Sequence, residues 1–439
     1  MTERTLNREI LRLAVPALGA LIAEPAFLIV DAALVGHLGT TPLAGLGIAG
    51  AVLQTIVGLM VFLAYSTTPA VARLFGAGRP GEAVSVGING MWLALAIGAV
   101  LAAAGAASSP WLVSLFGASD AVATQANDYL VVSMWGLPAM LIVFAATGLL
   151  RGMQDTMTPL WIAGLGFGAN ALLNVVFIYG LGWGIAGSAA GTVVAQWGMV
   201  GAYVLVIRRL AAKHDASLRA RREGMGSTAR SGSWLFLRTV SLRAALLVTV
   251  AVATGIGTDE LAGWQIVFTI FSAAAFALDA LAIAAQALIG KELGAGDERQ
   301  VHRVLTRTVA WGAWFGVAVG ALIAALSGVL GIVFTGDPAV AALVQPALLI
   351  LAVAQPIAGV VFVLDGVLMG ANDARYLALA GALNLLPFLP ALWIIAATGV
   401  DGAAGLIWLA VAFFGVYLLA RLGTLGWRVR SGRWISAGV

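Results

Sequence analysis

Apolar residues run along this chain in long unbroken stretches, separated by short polar, glycine-bearing or proline-bearing segments. The stretches predict helices over 10–34, 43–73, 84–106, 121–150, 158–179, 186–210, 232–254, 261–290, 304–330, 339–370, 375–397 and 402–427. Each is long enough to cross a hydrocarbon layer, which takes about 20 helical residues. The runs are continuous and rich in Ala, Leu and Gly. They do not alternate in short units as barrel strands do, so strands are not expected. The fold class is an all-α polytopic membrane protein of twelve transmembrane helices. The first stretch exceeds the length of a signal-peptide core and has no small-residue cleavage site before the next polar break, so it is expected to remain as helix 1.

Basic residues orient these spans. Arg4, Arg8 and Arg12 lie at the start of the first; Arg73 and Arg79 lie at the end of the second, Arg151 follows the fourth, and seven from Arg208 to Arg230 lie at the end of the sixth and in the connection after it. Lys291, Arg299, Arg303 and Arg307 follow the eighth, Arg375 the tenth, and Arg421, Arg428, Arg430 and Arg433 close the chain. The connections at 35–42, 107–119, 180–185, 255–260, 331–338 and 398–401 carry none. The positive-inside rule then places both termini in the cytoplasm, and the expected location is the plasma (inner) membrane, multi-pass.

The chain also repeats itself at an offset of 218 residues without a gap. Gly76-Ala77-Gly78 falls on Gly294-Ala295-Gly296, Pro138 on Pro356, Gly148 on Gly366, Asp155 on Asp373 and Gly184 on Gly402. Each half holds an even number of spans, so the halves are parallel repeats about an axis along the membrane normal. The expected organisation is an N-terminal six-helix lobe at 1–210, a polar cytoplasmic linker at 211–230 and a C-terminal six-helix lobe at 231–439. Two similar lobes on one linker suggest a cleft and a rocking motion.

Composition agrees. Of 439 residues, 61% are hydrophobic and 10% charged, far from the balance of a soluble globule, and mean hydropathy is +1.00. A pI near 9.7 would point to nucleic acid in a soluble protein; here it reflects arginines gathered on one membrane face, and no nucleic-acid partner is expected. With no cysteine, thiolate metal sites and cysteine nucleophiles are excluded. His37, His214 and His302 have no partner at metal-ligand spacing, and no nucleophile and base pair up within a span, so neither a metal site nor an enzyme is expected.

Ionisable groups inside spans are costly and need a reason. Glu24 and Asp31 share a face of helix 1 with Pro25 between them; Asn170 and Asn174, four apart, share a face of helix 5; Thr192 lies on helix 6. A carboxylate, two amides and a hydroxyl suit a small hard cation such as Na+, or a carboxyl that gains and loses a proton, with Glu24 as relay. Interhelical hydrogen bonding is the plainer role for the asparagines. The second half holds Asp279 and Asp365, with Arg238 and Arg243 as its intramembrane cations; these read as an ion pair, with Arg243 joined to Asp279 or Asp365, or as a cargo or proton site. Gln54, Tyr65, Trp264 and Gln265 are candidates for lining the cleft. Asp31 meets Thr249 in the repeat, Asp279 meets Val61 and Asp365 meets Thr147, so the scaffold was duplicated and the acids were not.

Twelve helices in two six-helix repeats, with Val30-Asp31-Ala32-Ala33-Leu34-Val35-Gly36-His37-Leu38-Gly39 ending helix 1 and Leu43-Ala44-Gly45-Leu46 opening helix 2, resemble the multidrug and toxic compound extrusion (MATE) transporters over nearly the whole chain. Phe276-Ala277-Leu278-Asp279-Ala280-Leu281 and Leu364-Asp365-Gly366-Val367-Leu368-Met369-Gly370 resemble the DinF-like branch. The resemblance implies a V-shaped two-lobe fold and places the family's cation site on Asp31, Asn170, Asn174 and Thr192; some members have a second acid where this chain has Asn174. It also implies antiport, in which an ion enters as a small amphipathic, often cationic organic compound leaves.

The expected function is therefore ion-coupled efflux by alternating access. H+ is favoured as the coupling ion because the neighbours of Asp31 are neutral; Na+ is the alternative, and no other cofactor is called for. The expected partners are a small organic substrate and the lipid bilayer, with the protein acting as a monomer. The rival readings are a flippase for a lipid-linked precursor and, from another class, an intramembrane enzyme or passive scaffold.

Overall fold

The computed structural model describes residues 3–220 and 225–436. Long apolar segments without a polar break have one way to satisfy their backbone in lipid, and the chain takes it: every element among the described residues is helical. In order these are α1 (Glu3–Gly36), α2 (Thr40–Met60), α3 (Phe62–Gly76), α4 (Pro80–Ser114), α5 (Asp120–Met134), α6 (Leu137–Gly152), α7 (Met157–Val175), α8 (Gly184–Lys213), α9 (Met225–Ile256), α10 (Thr258–Ala295), α11 (Glu298–Phe334), α12 (Pro338–Gly370), α13 (Ala374–Thr398), α14 (Gly402–Ala410) and α15 (Leu418–Arg430). Two wider helical stretches continue them, Val176–Gly180 after α7 and Val411–Tyr417 between α14 and α15. Eleven segments are long and apolar enough to cross a membrane, and α5 with α6, bent by 48°, supply a twelfth when taken as one span. The predicted 121–150 helix is therefore broken at Trp135-Gly136, and residues of the predicted linker extend α8 to Lys213 and begin α9 at Met225.

The chain divides into two compact units, Val15–Gly232 and Met1–Ala14 with Ser233–Val439. The N-terminal turns of α1 group with the second unit, where Leu6, Ile10 and Leu13 are buried and polar contacts add to them. Glu9 accepts from Lys291 at 3.4 Å, and Asn7 accepts from Arg307 at 2.5 Å and from the Trp311 indole at 3.1 Å.

Within each unit the internal repeat extends to single contacts. A Cβ built on Gly98 would lie 2.5 Å from Pro138 Cα, and one on the equivalent Gly316 would lie 2.8 Å from Pro356 Cα. Gly148 likewise rests on the Ala64 carbonyl as Gly366 rests on that of Ala282, and Gly152 on that of Thr68 as Gly370 on that of Gln286. Membrane helices gain little from apolar burial against one another, so close backbone approach at small residues is what holds such a bundle. The turns repeat too. Gln154 and Asn372 both take left-handed backbone (φ 67° and 59°), each leading into an aspartate, Asp155 and Asp373.

In the first unit Val35, Val52, Tyr129, Leu130, Met134, Ile178 and Ile185 form one apolar core, and Val71, Val84, Leu149, Tyr203 and Ile207 form a second. The site described next borders the first of these.

Candidate functional site

Asp31 lies on α1 six residues beyond Pro25, which removes one backbone hydrogen bond from the helix. Its side chain is almost wholly enclosed, at 2% exposure. Such a carboxylate is tolerable only with donors, and it has three. Asn174 Nδ2 donates to Oδ1 at 2.8 Å, Ser188 Oγ donates to the same oxygen at 2.5 Å, and Tyr129 OH donates to Oδ2 at 3.2 Å. The network continues through neutral groups: Asn174 Nδ2 also donates to Asn170 Oδ1 at 3.1 Å, Asn170 Nδ2 to Thr192 Oγ1 at 2.9 Å, and Thr192 Oγ1 to the Ser188 carbonyl at 3.0 Å.

The helices allow this because α7 and α8 meet at glycines. A Cβ on Gly191 would stand 2.2 Å from Asn174 Oδ1, and one on Gly187 would stand 2.8 Å from the Phe177 carbonyl oxygen. Immediately after Asn174, the helix widens so that Leu181 N–H donates to the Val176 carbonyl at 2.9 Å, five residues back. Widened turns of this kind recur at functional sites. Tyr179 OH then donates to the Leu34 carbonyl at 2.6 Å, which ties this segment to the end of α1.

Four of the five residues expected here, Asp31, Asn170, Asn174 and Thr192, are thus brought together; Glu24 is on α1, but its side chain lies outside the described residues. Sequence reasoning missed Tyr129 and Ser188. Ser188 was within reach, one helical turn before Thr192 and on the same face. Tyr129 carries no such mark, since a single tyrosine in an apolar span reads as packing.

The internal repeat supplies a control on whether packing requires these polar groups. The equivalents of Asp31, Tyr129, Asn170, Asn174, Ser188 and Thr192 are Thr249, Ala347, Phe388, Leu392, Leu406 and Ala410, all at 1% exposure or less. The same fold closes over these positions with apolar side chains and a single threonine hydroxyl. That hydroxyl is satisfied within its own helix by the Ala245 carbonyl at 2.8 Å. The polar network is therefore an addition to the scaffold.

The second unit is built around a different charge cluster. Asp365 on α12 accepts from Arg238 on α9 and from Arg421 on α15, the latter at 2.9 Å, and the Arg421 guanidinium lies 5.9 Å from the Phe362 ring centre. This corrects the expected pairing. Arg243 is exposed, and Arg421, one of the group assigned above to the C-terminal end, takes part. The reason is rotational: Arg238 and Arg243 are five residues apart on α9 and so project to different sides of it. Asp279 is partly buried on α10.

Trp264 does not line a cleft. It is 1% exposed and packs against Phe268, Phe413 and Phe414 with ring centres 5.5–6.2 Å away. Gln54 and Gln265 are exposed and Tyr65 is partly buried.

Helical spans enclosing a hydrogen-bonded carboxylate define a polytopic membrane protein with a buried polar site. A family model described as MatE matches residues 16–176 and 237–390, and the chain belongs to that family of multidrug and toxic-compound transporters. It is 29% identical to Protein DETOXIFICATION 44, chloroplastic, of Arabidopsis thaliana, over 98% of this chain and 84% of that protein. It is 27% identical to DNA damage-inducible protein F of Escherichia coli, over 98% and 94%. The crystal structure of the Vibrio cholerae MATE transporter VcmN in the bent form has the same fold, with a TM-score of 0.88 at 19% identity over 99% and 98%. Members of the family are transporters, so this chain is a transporter and not an enzyme.

Proposed function

We propose that this protein is an H+-coupled antiporter that exports small amphipathic, often cationic organic compounds by alternating access. It works as a monomer in the plasma (inner) membrane, with both termini cytoplasmic. The observation that carries this reading is the Asp31 network, a buried carboxylate whose described partners are all neutral, at a position the other half of the fold fills without charge. No cation stands among the described partners of Asp31, so a proton is the simplest means of neutralising the buried charge; the Ser188 and Tyr129 hydroxyls, which accept as well as donate, can each turn a lone pair toward it. Loading a proton cancels the buried charge, and release restores it, so occupancy changes what the surrounding helices must accommodate.

A second reading has one observation in its favour. Asn174 Oδ1 is buried without a hydrogen-bond donor, and Na+ held there and on Asp31 would satisfy it. Purified protein in liposomes, loaded with a fluorescent organic cation and given either a pH or a Na+ gradient, separates the two. A proton gradient without Na+ is expected to drive cargo movement. Transport driven by Na+ at equal pH, and absent under the proton gradient, overturns H+ coupling.

A further inference from the structure

On the second unit, beside the helices that hold the Asp365 cluster, α11, α12 and α15 surround an open groove of about 680 Å³, within the range of sites that hold sizeable apolar ligands. Its walls are Leu305 and Val309 of α11, Val360 and Leu364 of α12, and Leu419 and Leu422 of α15. The groove exists because α15 has glycine at 423 and 426. These glycines differ from those that hold the helices together, since a Cβ on either would meet nothing within 4 Å. Helix packing does not explain them; the missing side chains leave space.

One end of the groove is cationic. Arg430 lines it, and Arg303 stands one turn before Thr306, another lining residue, on α11. Neighbouring cations are already engaged: Arg428 donates to Asp373 at 2.7 Å and Arg307 to Asn7 at 2.5 Å. Arg303 and Arg430 are exposed, and neither has an ion-pair partner among the described residues. Trp427, 59% exposed at the same end, is the residue type that settles at a headgroup boundary.

We infer that this groove is a binding site for an anionic phospholipid, with an acyl chain along Gly423 and Gly426 and the headgroup phosphate at Arg430 and Arg303. An apolar slot ending in free guanidinium groups matches a lipid of that charge, because phosphate accepts from arginine in paired hydrogen bonds while the chain needs no polar partner. The zwitterionic headgroup of phosphatidylcholine lacks the net charge that the arginine end favours.

The test is native mass spectrometry of the delipidated full-length protein, titrated with phosphatidylglycerol or phosphatidylcholine. The expected result is selective retention of phosphatidylglycerol, weakened about fivefold by Arg430→Gln. Gly423→Leu/Gly426→Leu, which fills the slot, abolishes it. Gly164→Leu, at another exposed glycine with nothing within 4 Å, leaves it intact. Equal retention of the two lipids overturns the proposal, and so does unchanged phosphatidylglycerol retention in the groove-filling variant. If that variant does not fold, Arg430→Gln at its exposed position decides alone. A groove that loses binding of the exported cargo on filling, while keeping lipid, belongs to the cargo, and the lipid assignment fails.

Discussion

Asp31 is the buried carboxylate on which the proposed coupling rests, and its surroundings specify what a change there does. Asp31→Asn keeps the shape but removes the charge proposed to alternate, and Thr249, its repeat equivalent, supplies no substitute. Proteoliposomes with this variant are expected to show no gradient-driven transport, while size-exclusion profile and thermal unfolding stay near those of the wild type. Full transport from folded Asp31→Asn would make the residue structural. Asp365 is a contrasting case. Asp365→Leu removes the acceptor that Arg238 and Arg421 share, and breaking a buried ionic pair typically costs about 3–5 kcal/mol. Arg238→Met leaves the carboxylate with Arg421 and costs less. Thermal unfolding in detergent is expected to rank Asp365→Leu below Arg238→Met. The reverse order would mean that the carboxylate is not the centre of the cluster.

Helices meet here through glycine, and the contacts differ enough to give opposite predictions on neighbouring elements. A Cβ on Gly359 of α12 would stand 2.0 Å from the Gly312 carbonyl oxygen of α11, whereas one on Gly198 of α8 meets nothing within 4 Å. Gly359→Ala is therefore expected to destabilise the α11–α12 pair by about 1–3 kcal/mol, and Gly198→Ala to have little effect. Thermal unfolding of the two variants checks this. The break between α5 and α6 is also legible at this scale. Gly136-Leu137-Pro138 occupies the positions of Ala354-Gln355-Pro356, and the second half stays one helix, α12. Proline is common to both, so it does not by itself break the helix. The added glycine, where a Cβ would lie 2.0 Å from Gln196 Oε1, accompanies the bend in the first half.

At the scale of the whole molecule, the asymmetry of basic residues predicts that segments near Gly39, Ser108 and Asp337 face outside and those near Arg79, His214 and Lys291 face the cytoplasm. The chain has no native cysteine, so single introduced cysteines report position without background. Gly336→Cys, at an exposed position where a side chain meets nothing within 4 Å, is expected to react with an impermeant thiol reagent in intact cells, and His214→Cys to react only after permeabilisation. Labelling of His214→Cys from outside would invert the orientation.

The sequence by itself determined the fold class, the number of spans and the duplication, because these depend on properties that add along the chain: apolar length and a recurring pattern of Gly, Pro and Asp. It also marked Asp31, since charge in an apolar span is costly wherever the helix ends up, and helical spacing put Asn170 and Asn174 on one face. Tertiary structure alone decided which groups complete the site. Tyr129 and Ser188 reach Asp31 from helices 98 and 157 residues away in the chain, and no local signal encodes that approach. It likewise chose Arg238 and Arg421 over Arg243 as partners of Asp365 and buried Trp264 among phenylalanines. Rotation of each helix about its axis is set by the glycine contacts of its neighbours, and a linear pattern does not contain it.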